Sequence, residues 1–225
     1  MERAQAASLR AVAIAPDSPE VLVSQGWILY ADSRYDDAAR LSRAAIARKR
    51  DCEEAYYLLL RSLFAAGKYQ EVAALAEEAL EGAGNDYNVY IPVMNSLGAL
   101  GKADAVRNVR LRLLQTLENH LREVPEDARA RILLSGMYGQ EGRIEEAVRE
   151  ANLAMVLRPN EATVLYNAAC TFCNIGRKAD AIDAIRKAWD AGFRDADWTR
   201  RDPDLSLLHG DPEFEKLYPA STPGA

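Results

Sequence analysis

Small residues recur along this chain at a fixed interval, and that interval constrains the fold more than any other feature. Gly67 lies 34 residues after Ser33, Gly101 lies 34 after Gly67, Gly142 is 41 further on, and Gly176 follows after 34 more. A second series, Ala11, Ala45, Ala79, Leu113, Ala154 and Ala188, runs with spacings of 34, 34, 34, 41 and 34. The single excess is seven residues. Seven residues is about two helical turns, so a helix can lengthen there while its buried face keeps its phase. Self-similarity of this kind marks an architecture in which one supersecondary unit stacks on copies of itself.

The unit is clearest from Ala128 to Glu161, ARARILLSGMYGQEGRIEEAVREANLAMVLRPNE. Leu134 and Tyr138 lie four apart on one helical face, with small Ser135 beside them where another helix can come close. Gly142 ends this first helix, since glycine takes the left-handed conformation of a C-cap without penalty. Ala147, Ala151 and Ala154 form one stripe on a second helix, and Pro159 closes the unit.

On these residues the chain resembles the tetratricopeptide repeat (TPR), whose pattern is an aromatic, Leu-Gly, Tyr, Ala, Phe, Ala and Pro at a 34-residue period. In this unit Arg131 replaces the leading aromatic, Ser135 the glycine and Ala151 the phenylalanine. The resemblance implies an all-α fold, a right-handed TPR α-solenoid of antiparallel helix pairs. It also implies non-catalytic protein–protein interaction, with the first helices lining a concave face that takes an extended peptide or a helix.

The register divides the chain into a half repeat at 1–18 and repeats at 19–52, 53–86, 87–127, 128–161 and 162–195. In the third repeat Pro92 is tolerable only in the opening turn of a helix, so that helix is expected to start near Val89 or Tyr90. Its second helix, about 103–123, carries the seven-residue excess. A stack that begins in mid-repeat leaves an apolar face at residues 1–16, which implies more chain upstream, or a lone capping helix, or self-association through that face. After the last repeat, residues 196–218 read as a helical C-terminal cap. Asp202-Pro203 and Asp211-Pro212 each start a short helix there, by capping plus a proline in the first turn. Residues 219–225 read as a flexible tail.

This ending carries a second resemblance. Tyr166–Cys170 (YNAAC), GFRDADW, DPDL and DPEF are similar to the C-terminal TPR block of bacterial multidomain signalling proteins. In those proteins the block follows a Ser/Thr kinase, an adenylate cyclase or a winged-helix regulator. It implies a setting in bacterial signalling, and an alternative in which this chain is the regulatory tail of such a head.

Composition narrows the partners. With 28 Lys and Arg against 34 Asp and Glu, the net charge is −6, which argues against nucleic acid as a ligand. The basic stretches Arg48–Arg50 and Arg107–Arg112 read as solvated helix faces or ends. No apolar run is long enough to span a membrane, MERAQAASLR has no apolar signal region, and three cysteines form no even framework. A cytoplasmic protein with no cofactor is expected.

By the repeat register, the groove-facing residues are Trp27, Tyr30, Tyr57, Arg61, Phe64, Asn88, Asn95, Arg129, Gln140, Tyr166, Asn167 and Asn174. Amides can bond a peptide backbone through donor and acceptor alike, and Arg61 and Arg129 can pair with ligand carboxylates. TPR cochaperones that grip a chaperone's terminal carboxylate use a Lys/Asn clamp across three repeats. Here the matching positions are Val23 with Trp27, Leu58, Asn88 with Pro92, and Arg129 with Leu133, so no clamp assembles. Cys170 and Cys173 form a CxxC, but zinc needs four ligands, and Cys52, His120 and His209 belong to other elements. Two remote histidines and no phosphate-binding glycine loop leave no catalytic constellation.

Overall fold

The computed structural model describes Ala15 and residues 17–219, and all the regular structure among them is helical. The half repeat at 1–18, its pairing face and the tail at 219–225 therefore fall almost entirely outside the described residues. In order come α1 (Pro19–Ala31), α2 (Tyr35–Arg48), α3 (Ala55–Ala65) and α4 (Tyr69–Gly82). A 3-10 turn at Tyr87–Val89 leads into α5 (Tyr90–Ala99), followed by α6 (Ala103–Glu123) and α7 (Ala128–Gln140). Then come α8 (Ile144–Leu157), α9 (Ala162–Asn174) and α10 (Lys178–Asp190). The C-terminal segment holds α11 (Ala196–Arg201), a 3-10 helix at Pro203–Leu208 and α12 (Pro212–Leu217). Among the described residues, no helix is long and apolar enough to cross a membrane.

One turn design repeats at the sequence period. Ser33, Gly67, Gly101, Gly142 and Gly176 all take positive φ, between 60° and 75°. The next residue's N–H then reaches back to the first helix: Arg34 to Leu29, Lys68 to Leu63, Lys102 to Leu97, Arg143 to Tyr138 and Arg177 to Phe172, at 2.8–2.9 Å. These bonds satisfy carbonyls that a helix end leaves open, and they reverse the chain sharply enough for two helices to pack antiparallel. Ser33 accepts the left-handed conformation despite its Cβ, at a cost the other four positions avoid.

The chain divides into two compact units, one ending at Leu113 and the other beginning at Leu114, with the boundary inside α6. In the first unit each of α1 to α4 packs on the next, and α1 also meets α3, as α3 meets α5. The first helices of successive pairs thus lie side by side. Gly26 permits this approach, because a Cβ there would stand 2.6 Å from Leu58 Cδ2. Leu22, Val23, Ala38, Ala45, Ala55 and Leu58 close one core cluster. Helix α5 begins at Tyr90, so Pro92 occupies the first turn, where its missing N–H costs nothing.

In the second unit α7 pairs with α8 and α9 with α10, while α7 also lies against α9. Arg131, which stands where the repeat pattern has an aromatic, forms a buried ion pair with Glu150 and donates from Nε to the Pro125 carbonyl at 2.8 Å. The C-terminal segment packs on α9 and α10. Leu205, Leu208, Phe214 and Tyr218 are fully buried there, in one cluster with Leu165, Phe172, Ile185 and Ala188. Asp202 and Asp211 cap its helices by accepting from the N–H groups of Asp204 and Glu213, each at 3.0 Å and each with proline next in sequence.

Candidate functional site

Four of the residues singled out in the sequence meet on the first unit. Trp27 and Tyr30 lie three apart on α1, and Tyr57, Arg61 and Phe64 follow one another along α3 at helical spacing. Trp27 stands edge-on to Tyr30 with ring centroids 5.7 Å apart, and tilted against Tyr57 at 5.6 Å. The Arg61 guanidinium lies 5.2 Å from the Tyr30 ring centre and 5.7 Å from that of Tyr57. One of its N–H groups donates to the Tyr57 hydroxyl at 2.8 Å. The result is a half-buried aromatic platform with an exposed, oriented cation at its edge. Phe64, three residues on from Arg61, turns to Tyr69 instead, at 5.4 Å.

Three contributors were not anticipated. Tyr35 extends the row by packing on Tyr30 at 5.3 Å, and Tyr69 covers Phe64. These tyrosines are 34 residues apart, so the repeat itself held the signal. The third is Glu54, whose carboxylate accepts the Trp27 indole N–H at 2.8 Å and whose backbone takes φ 61°. That bond fixes the indole and leaves its face as apolar surface. No local pattern announces a left-handed glutamate.

The remaining expected residues do not join this cluster. Asn88 is half-buried and turned onto Asp86, its side-chain amide donating at 2.8 Å within a helix-start cap. Asn95 is exposed on α5. In the second unit Arg129 lines a recess of about 350 Å³ with Asp127, Arg158 and Glu161, Gln140 is exposed at the end of α7, and Asn167 is half-buried on α9. Asn174 donates to Asp204 at 3.2 Å. Tyr166 needs correcting as a surface residue. It is only 5% exposed, its hydroxyl donates to Asp202 at 2.5 Å, and its ring stacks on Phe193 with centroids 4.1 Å apart. The C-terminal segment covers it.

The CxxC lies beneath the same segment. Cys170 and Cys173 are both buried, and burial pushes the Cys173 thiol up to about 12, with Asp204 and Asp202 adding to the rise. The same burial, together with the Asp202 carboxylate, raises Cys170 as well. A protonated thiol is neither a nucleophile nor a good metal ligand, so the pair has the chemistry of core residues. Among the described residues, no three His, Cys, Asp or Glu side chains gather as a metal site.

Solved structures with the same arrangement of helices are TPR proteins. A thermophilic TPR protein of Thermus thermophilus, TTC0263, superposes with a TM-score of 0.62 at 20% identity, over 85% of this chain and 99% of that one. The fold is that of the tetratricopeptide repeat. MamA from Desulfovibrio magneticus RS-1 gives 0.53 at 17% identity, over 78% of this chain and 95% of its own. YrrB, described as a TPR protein with an unusual peptide-binding site, gives 0.51 at 18%, over 83% and 92%. No family model matches the sequence. A curated chloroplastic protein of Arabidopsis thaliana is 32% identical over 113 residues, 48% of this chain. The chain spans about a third of that relative's length, 33%.

Proposed function

We propose that this TPR chain is a protein-interaction scaffold without catalytic chemistry of its own, which holds an extended peptide or a helix on the side formed by its first helices. The observation that carries the reading is the Trp27–Tyr30–Tyr57–Arg61 platform. Large aromatics and arginine supply most of the binding energy at interfaces, and here they are side by side and partly accessible, with Trp27 and Tyr30 resting on the core cluster beneath. A TPR neighbour described by its peptide-binding site is consistent with this use of the fold. The setting proposed with it is regulation or signalling in a bacterial cytoplasm, which rests on the resemblance of the chain's ending.

The test is selection of random peptides, about twelve residues long, on the intact chain, followed by titration of the recovered peptides against Trp27→Ala and Tyr57→Ala. Each substitution should weaken binding at least about tenfold, as loss of an interface anchor does. Circular dichroism should show the helix content unchanged. Recovered peptides that bind wild type and both variants equally would remove the platform from the function.

A further inference from the structure

Several arginines of the first unit are paired with carboxylates. Arg34 and Arg40 share Asp37, Arg43 pairs with Glu71, Arg48 with Asp17, and Arg112 with Glu77. Arg61 has no carboxylate within ion-pair distance among the described residues; two tyrosine rings and one tyrosine hydroxyl hold it instead. A guanidinium carries five N–H donors in a fixed fork, and a single bond to Tyr57 leaves most of that fork available. Ring contacts fix the group's position without neutralising it, so little side-chain entropy is lost when an anion arrives.

From this we infer that the platform recognises an acidic peptide, with an Asp or Glu carboxylate seated on Arg61 and a neighbouring apolar side chain laid on the Trp27 and Tyr57 rings. The inference rests on the scaffold reading above and names the chemistry of its partner. Two features decide the details. Glu54 stands seven residues before Arg61, at the start of the same helix and about 10 Å away along its axis. Its carboxylate sits at the Trp27 end and disfavours a second acid there, so the ligand's acid and apolar groups have a defined order along α3. The anion is a carboxylate rather than a phosphate, because phosphate sites gather several cations or backbone donors, and here one guanidinium stands among uncharged rings.

Peptide pools of about ten residues, with a central Leu and one neighbouring position fixed as Glu, Gln, Lys or phosphoserine, distinguish the outcomes. Each pool is titrated against the full chain by fluorescence polarisation, with Arg61→Gln, Arg61→Lys and Trp27→Ala in parallel. The Glu pool should bind at least about tenfold more tightly than the Gln or Lys pools. Arg61→Gln should abolish that preference while leaving the Gln pool within about twofold of wild type, and Arg61→Lys should restore only part of it. If Glu and Gln pools bind equally while Trp27→Ala still weakens both, the acid preference is wrong and the scaffold reading stands. A phosphoserine pool that binds about tenfold above the Glu pool overturns the choice of carboxylate. If no pool binds, both readings fail together.

Discussion

Arg131 and Glu150 meet inside the second unit at a point where the repeat pattern has an aromatic side chain. Their side chains are 15% and 7% exposed, and further bonds to the Pro125 carbonyl and from Arg149 complete the site. Such a pair is worth little against a well-packed apolar replacement, because removing two charges from water offsets most of their attraction. Breaking it by halves is different, since one charge is then stranded. Glu150→Ala should therefore cost about 3 kcal/mol in urea unfolding, within the range for a severed buried pair. The double change Arg131→Met with Glu150→Leu should cost less than about 1.5 kcal/mol, as a volume-conserving repack does. Equal losses in the two proteins would show that the charges themselves, rather than their pairing, hold this corner.

At the scale of one element, the C-terminal segment is held by a fully buried apolar face and by ion pairs around it. Lys178 meets Asp211 at 3.0 Å, and Arg200 meets Glu215 at 2.5 Å. The Lys178 ammonium holds the Asp211 carboxyl below its usual range, and the Arg200 guanidinium does the same for Glu215. A carboxylate depressed by folding stabilises the fold above its unfolded pKa, about 4, and loses that contribution as pH falls through the lower folded value. The segment should thus loosen as pH drops below about 4, modestly because both pairs are partly open to solvent. Trp189 and Trp198 fluorescence in a Trp27→Phe background would follow this. In Lys178→Met the segment should be weaker at neutral pH but less sensitive to acid; parallel acid curves would exclude the Lys178–Asp211 pair as the cause. The sequence showed the two later helix starts of this segment plainly, since each Asp-Pro pair carries its own cap. It showed the five turns equally well, because a left-handed turn residue is a local demand. It hid the fate of Tyr166, whose burial depends on Asp202, 36 residues away. Period and propensity report which face of a helix a residue occupies, not which distant segment will return to cover that face. The same limit hid Glu54, whose left-handed backbone is matched to a tertiary bond with Trp27.

At the scale of the whole molecule, a repeat fold spreads its stability along the chain, because each helix pair gains most of its burial from its immediate neighbours. One core cluster gathers around Leu22, Ala45 and Leu58 in the first unit, and another around Phe172, Ile185 and Phe214 in the second. A single unfolding free energy is then a poor description, and damage should be felt locally first. Phe214 tests this: it is fully buried, and Phe→Ala in such a place costs about 3–5 kcal/mol. Hydrogen exchange measured by mass spectrometry on Phe214→Ala should show protection falling by about a hundredfold to a few thousandfold in peptides from α9 and α10, the free-energy loss expressed as an opening ratio. Peptides from α1, α2 and α3 should keep their exchange rates within about twofold, as nearest-neighbour coupling requires. The peptide-selection measurements should likewise be unchanged, since the Trp27–Arg61 platform belongs to the first unit. A uniform fall in protection from α1 to α10 would instead mean that the chain unfolds as one cooperative body. A platform substitution would then have to be controlled for global stability before any loss of binding could be assigned to contact.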